Sequence, residues 1–265
     1  PALNLDQVKE ISKHNTKPAI YGGYIKNEEV RTKSSSGGVF SALAKYVFEK
    51  NGYVCGARFT KGGIVEHVIV DNWDDLAPLR GSKYVQSNIN NCYKEIKTLL
   101  EQDKYVLFTG TPCQVAGLYA VLGKDYEKLI TVDILCHGVP SQKLFIEYLD
   151  EITAAKADKI TDIKFREKTG GWRDFYFSLT GDNIKISKHY KDDVYFQGFL
   201  NNLTIRKSCT DCQYNRLPRQ GDFTIGDFWG IEYYDSTLNN NSGCSIILCN
   251  SKKSIDILNL SLIHI

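Results

Sequence analysis

"YVLFTGTPCQVAGLYAVL", residues 105–122, and "LITVDILCHGVPSQKLFIEYLDEI", residues 129–152, decide the fold. Each starts with an apolar run rich in β-branched residues, stops at a turn carrying Pro or Gly, and continues with apolar residues at helical spacing. Two consecutive strand–loop–helix units predict parallel strands joined by a crossover helix, because that connection is the short, right-handed route back into one sheet. Cys113 and Cys136 each follow the carboxyl end of one of these strands. Open α/β sheets build their sites at that edge, so two thiols distant in sequence are expected to meet there. A helix N-terminus also favours a thiolate, which suits a metal ligand or a nucleophile.

Outward from this unit the pattern extends in both directions. Upstream, "SSSGG", Ser34 to Gly38, leads into a helix whose apolar face is Val39, Phe40, Leu43, Ala44, Val47 and Phe48. "YVCGARF" and "IVEHVIV" flank a Lys61-Gly62-Gly63 turn and read as a hairpin. "RGSKYVQS", Arg80 to Ser87, is a polar loop before a helix from about Asn91 to Gln102. Downstream of Ile160 the texture turns antiparallel: "DIKFR", "DFYFSLT" and "IKISKHY" are strands, a short helix spans about Tyr195 to Leu203, and "SCTDC", "GDFTIGDFWG" and "SIILCN" follow. The fold class is therefore α/β, a parallel βαβ core with an antiparallel, cysteine-bearing C-terminal portion.

The expected organisation is a lead-in over 1–33, an α/β part over 34–159, a C-terminal part with the C-x-x-C pair over 160–259, and a foreign tail over 260–265. The tail, LSLIHI, matches a sequencing-adaptor read-through, and the chain contains no methionine. Both ends are thus expected to be cut. Apolar and charged contents of 42% and 24% fit a globular chain, and the net charge of +2 gives no electrostatic case for nucleic acid or an anionic membrane surface. No apolar run is long enough to span a bilayer. Eight cysteines with this Lys-, Asn- and Ile-rich composition point to a reducing, cytoplasmic setting, where clustered thiols bind metal or do redox work.

Cys209 and Cys212 form a C-x-x-C pair that can chelate one centre from a single turn. With Cys113 and Cys136 they make four thiolates, a set that fits zinc or a 4Fe-4S cluster. Cys55, Cys92, Cys244 and Cys249 sit in strands or at a helix start and read as core residues. SSSGG at a helix start offers N–H groups and hydroxyls to an anion, although it is also an ordinary cap. Lys83, Tyr84 and Gln86 add a cation, a ring and an amide in one loop, and Asp222, Asp227 and Trp229 are candidate pocket residues. Cys113 as nucleophile with His137 as base would make a thiol hydrolase, a pairing that leaves the C-x-x-C unused. A zinc-stabilised, non-catalytic binding module in polysaccharide assembly is a further alternative.

Taken in order, "SSSGGVFSAL", "RGSKYVQS", "LFTGTPCQVAGL", "VDILCHGVPS", "KFREKTGGW", the C-x-x-C and "TIGDFWG" resemble the beta-subunit family of coenzyme F420 hydrogenases and dehydrogenases over about Lys33 to Ser251. They are also similar to the related plant hydroxymethyl chlorophyll reductases, and the SSSGG form looks most like the bacterial relatives. The resemblance implies an iron–sulfur flavoprotein oxidoreductase that relays electrons from a ferredoxin-type donor through a 4Fe-4S cluster to FAD and a small-molecule substrate. It implies Cys113, Cys136, Cys209 and Cys212 as cluster ligands. It places Ser36, Gly37, Gly38, Lys83, Tyr84, Gln86, Ser87, Thr111 and Pro112 around FAD. His137, directly after Cys136, is the candidate catalytic residue, to donate a proton or to hydrogen-bond a cofactor. The partner expected is ferredoxin or an N-terminal ferredoxin-like module upstream of this chain.

Overall fold

Residues 17–238 and 241–259 are described in the computed structural model; the expected foreign tail and the first sixteen residues of the lead-in lie outside them. The strands of the βαβ unit are β4 (Val106–Gly110) and β5 (Leu129–Ile134), and they pair in parallel with Val106 opposite Leu129 and Gly110 opposite Asp133. Their runs are mostly apolar because both faces are covered, so neither side of the sheet calls for polar alternation; Thr131 and Asp133 in β5 are buried polar exceptions. Val106 and Phe108 pack on one side with α3 (Cys92–Glu101) and α4 (Pro112–Leu122). Leu107, Ile130 and Val132 pack on the other with α2 (Val39–Phe48) and α8 (Lys252–Leu258).

The rest of the sheet grows from this pair. β2 (Tyr53–Phe59) lies parallel to β4 and antiparallel to β3 (Val65–Val70), so the expected hairpin is present. On the other side, β9 (Phe223–Asp227) runs parallel to β5, with Val132 opposite Phe223. β10 (Ser245–Cys249) and β1 (Ala19–Gly23) then add antiparallel strands, giving the order β1-β10-β9-β5-β4-β2-β3.

The second sheet, β6 (Ile160–Glu167), β7 (Tyr176–Gly181) and β8 (Ile184–His189), is the antiparallel part read from the sequence. With α5 (Gln142–Thr153) and α6 (Val194–Leu200) it encloses its own aromatic-rich core around Phe145, Phe165, Phe177 and Phe196. The C-terminal portion is therefore divided between two sheets. β9 and β10 leave the small sheet's neighbourhood and close the large one, which no local pattern in "GDFTIGDFWG" announces. A short helix, α1 (Glu28–Thr32), precedes SSSGG, and another, α7 (Lys207–Thr210), carries Cys209. No helix among the described residues is long and apolar enough to cross a membrane.

Candidate functional site

The carboxyl edge of the large sheet gathers the loops singled out in the sequence. After β4, Thr111 caps α4 in a reciprocal box with Gln114, and Pro112 occupies the first turn, where its missing N–H costs nothing. The expected loop is shorter than the sequence suggests: Cys113 lies within that first turn, exposed, with its Sγ 3.1 Å from Thr111 Oγ1. After β5, Leu135 N–H donates to the Ile225 carbonyl at 2.9 Å, and the chain enters Cys136-His137-Gly138. Cys136 is half-buried; burial pushes its thiol up to about 11, the Gly138 amide opposes this, and the thiols of Cys113, Cys209 and Cys212 each push further up. All three partners are thus near enough to influence Cys136.

The C-x-x-C segment reaches this edge through backbone contacts. Arg206 N–H donates to the Val139 carbonyl at 3.0 Å, and Pro140 bridges Ile205. Gly138 adopts φ +131°, and a Cβ there would lie 3.1 Å from Ile205 Cγ2 and 3.2 Å from Cys209 Cβ, so only glycine allows this approach without strain. Asn215 Nδ2 donates to the Cys136 carbonyl at 2.7 Å. Among the described residues, no three His, Cys, Asp or Glu side chains lie close enough to hold a single metal ion. His137 is exposed, and its Nε2 faces the Phe199 carbonyl at 3.2 Å, with the Phe199 ring edge-on. Its bonded neighbour is therefore α6, not Cys113, and the pairing a thiol hydrolase needs is not formed.

The proposed flavin loops also meet. The Ser82 N–H and hydroxyl both reach Ser35 Oγ, at 2.7 and 2.8 Å. Gly37 packs against the sheet edge, where a Cβ would lie 2.4 Å from the Gly23 carbonyl and 2.8 Å from Ser245 N. Ser36 Oγ donates to the Cys244 carbonyl at 2.7 Å, and Gly38 is the N-cap of α2, whose first turn receives no side-chain cap. Lys83, the cation expected beside FAD, is held by its own loop. Its ammonium donates to the carbonyls of Pro78, Arg80 and Gly81 at 2.9, 2.8 and 3.2 Å, and burial pushes it down to about 7. Charge, and not a spare hydrogen bond, is what it can offer an anion. The Tyr84 ring lies in the second core against Phe165, Phe196 and Phe199, at 5.3, 5.1 and 4.8 Å. Gln86 accepts from Arg206, and its N–H donates to the Pro140 carbonyl at 3.1 Å, tying this loop to the cysteine loops.

Several participants are absent from the sequence reading. His67, 2% exposed, faces the Thr109 carbonyl with Nε2 at 2.9 Å and Ser87 Oγ with Nδ1 at 3.0 Å. A carbonyl only accepts, so Nε2 carries the proton and Nδ1 accepts from Ser87; Ser87 in turn accepts from Gln114 Nε2 at 2.9 Å. Burial holds His67 down at about 4, against the Thr109 bond, and Lys83 adds to the depression. Arg166 pairs with Asp227, which also accepts from Trp172 Nε1 at 2.7 Å, while Trp172 stacks on Trp229 at 4.7 Å. Lys168 donates to the carbonyls of Arg31, Ser36 and Ser242, and burial plus the Arg166 charge push it down to about 7. Of the three candidate pocket residues, Asp227 ends β9 and Trp229 lies just past it, whereas Asp222 is buried just before β9, accepting from Thr131 N at 3.0 Å and Ser251 Oγ at 2.8 Å.

Comparison with known proteins agrees with this architecture. No curated protein matches the chain. A chain of the F420-reducing [NiFe] hydrogenase complex from Methanosarcina barkeri, solved as a xenon derivative, superposes with a TM-score of 0.62 at 17% identity, covering 93% of this chain and 79% of that one. That likeness shows a shared fold. The models for the coenzyme F420 hydrogenase/dehydrogenase beta subunit match in two consecutive parts, the N-terminal one over residues 20–94 and the C-terminal one over residues 103–262. With both parts present in order and most of the chain covered, the protein belongs to the coenzyme F420 hydrogenase/dehydrogenase beta-subunit family, a family of oxidoreductase subunits.

Proposed function

We propose that this chain is an iron–sulfur flavoprotein subunit that takes electrons from a ferredoxin-type donor, or from a ferredoxin-like module, and delivers them through FAD to a small-molecule substrate. One observation carries the reading. The C-x-x-C segment is bonded to the loop of Cys136, through Arg206 to Val139 and Asn215 to the Cys136 carbonyl, so that Cys113, Cys209 and Cys212 all act on the Cys136 thiol. Four thiolates are the donor set of a 4Fe-4S cluster, and the chain's family is one of oxidoreductase subunits. In this reading Cys113, Cys136, Cys209 and Cys212 hold the cluster. FAD lies against Ser36, Gly37, Gly38 and the Thr111-Pro112 turn, where the α2 N-terminus offers N–H groups without a competing side chain. When bound, the cluster supplies single-electron transfer and the flavin converts it to two-electron chemistry.

The chain's own residues supply position and protons. The Ser87–His67 and Gln114–Thr111 bonds fix the turn between the two cofactor loops. Lys83, Tyr84 and Gln86 shape the second loop from behind rather than facing the ligand. His137, exposed beside Cys136, keeps Nδ1 available as an acceptor while Nε2 donates to Phe199, which suits a proton donor that reloads from solvent. The relative in a hydrogenase complex supports further subunits as partners. Anaerobically purified protein should be brown and contain iron, acid-labile sulfide and flavin. Cys212→Ala should lose iron, and Cys92→Ala, which removes a buried thiol bonded to the His67 carbonyl, should keep it. Colourless protein holding zinc without sulfide, or equal iron loss in both variants, would overturn the reading.

A further inference from the structure

We infer that Asn215 is a positioning residue for the four-thiol site: it sets the distance between the Cys136 loop and the C-x-x-C segment without touching a sulfur. This rests on the four-cysteine reading above. Asp133, wholly buried in β5, accepts from Arg219 Nη2 at 2.8 Å and from the N–H groups of Gln220 and Gly221 at 3.0 and 2.8 Å. Arg219, 4% exposed, also donates to the Ile134 carbonyl at 2.9 Å, and to Asn215 Oδ1 from Nη1 at 2.8 Å. A guanidinium can only donate, so the Asn215 oxygen must face it. That leaves the amide nitrogen facing the Cys136 carbonyl, where it lies at 2.7 Å.

The result is a directed chain from the floor of the sheet to the site: Asp133, Arg219, Asn215, Cys136. The Cys136 end is anchored by β5, and Asn215 lies three residues after Cys212 on the segment that Arg219 holds. Asparagine is the side chain that meets both demands at this point. It accepts from a fixed cation and donates to a fixed carbonyl. Aspartate keeps the first bond and sets oxygen against oxygen at the second. Alanine loses both.

The test uses iron-loaded protein and follows iron release to a strong chelator. Asn215→Asp should release iron about fivefold to tenfold faster than the parent, the worth of one lost neutral hydrogen bond, and Asn215→Ala, which also loses the bond from Arg219, at least as fast. Arg216→Ala, an exposed neighbour, should match the parent. The reduced cluster's electron paramagnetic resonance spectrum should change in both Asn215 variants. Amide exchange should quicken only around residues 135–139 and 206–218, with β4 and β5 unchanged. Parental release rates and spectra in the Asn215 variants would overturn the inference alone. A parent that takes up no iron and sulfide even on reconstitution would overturn the four-cysteine reading, and the inference with it.

Discussion

Replacing His67 by Gln should remove most of one pH-dependent term from the protein's stability. The imidazole is buried and neutral, donating to Thr109 and accepting from Ser87. Its value falls from 6.5 to about 4 because burial disfavours the cation. Since the folded value lies below the unfolded one, the unfolded chain takes up the proton first. Stability is full above about pH 6.5 and declines as the pH drops towards 4. Proton linkage with those two values gives a loss of about 2 kcal/mol between about pH 7.5 and about pH 5, rising to about 3 kcal/mol below both. Gln offers a donor and an acceptor in a similar place and does not titrate. Urea unfolding of parent and His67→Gln, in the same cofactor state at both pH values, measures the difference. The parent should lose about 2 kcal/mol more than the variant across that interval. Equal losses would mean that His67 is protonated in the folded protein, and the directed bond from Ser87 would then be wrong.

Three further outcomes follow from contacts in the site. Gly138→Ala should lose iron although it removes no ligand, because its Cβ meets Cys209 Cβ at 3.2 Å from a backbone that favours glycine; iron content against flavin content would show it. Gly37→Ala should weaken flavin binding and loosen the β1–β10 edge, since its Cβ would sit 2.4 Å from the Gly23 carbonyl; flavin fluorescence on dilution would follow the release. Arg219→Met should destabilise by about 3–5 kcal/mol by stranding the Asp133 carboxylate, whereas Lys252→Ala, which breaks an exposed pair with Asp256, should cost under about 1 kcal/mol in the same urea series.

The βαβ unit was legible because β4 and β5 are buried on both faces and so read as largely apolar runs, each followed by a turn and a helical pattern. The position of β9 was not. "FTIGD" is an equally good strand anywhere, and only its pairing with β5 gives it meaning. The four thiols could be grouped because strand ends of one parallel unit must share an edge, while Arg219 and Asn215 act on partners distant in sequence. One signal was available. Asp133 stands inside "LITVDIL", and a carboxylate in a buried strand requires a cation from elsewhere. The bonds that Lys83 and Tyr84 make within the protein were hidden for the opposite reason: a cation and a ring in a polar loop look free until the loop is seen to fold back on them.

The placement of β9 between β5 and β10 has a consequence for how the chain comes together. β2, β4 and β5 can pair soon after they leave the ribosome, but the edge of β5 then stays open through the making of the small sheet, α6 and the C-x-x-C segment. β1, made before every other strand among the described residues, has to wait for β10, as Ala19 faces Cys249. Such distant pairings slow folding and leave a bare strand edge exposed meanwhile. Arg219 and Asn215 arrive only just ahead of β9, so the cysteine loops are drawn together late, when the edge is about to close. A chain interrupted before Phe223 would carry all four thiols and still present the open edge of β5 to its neighbours.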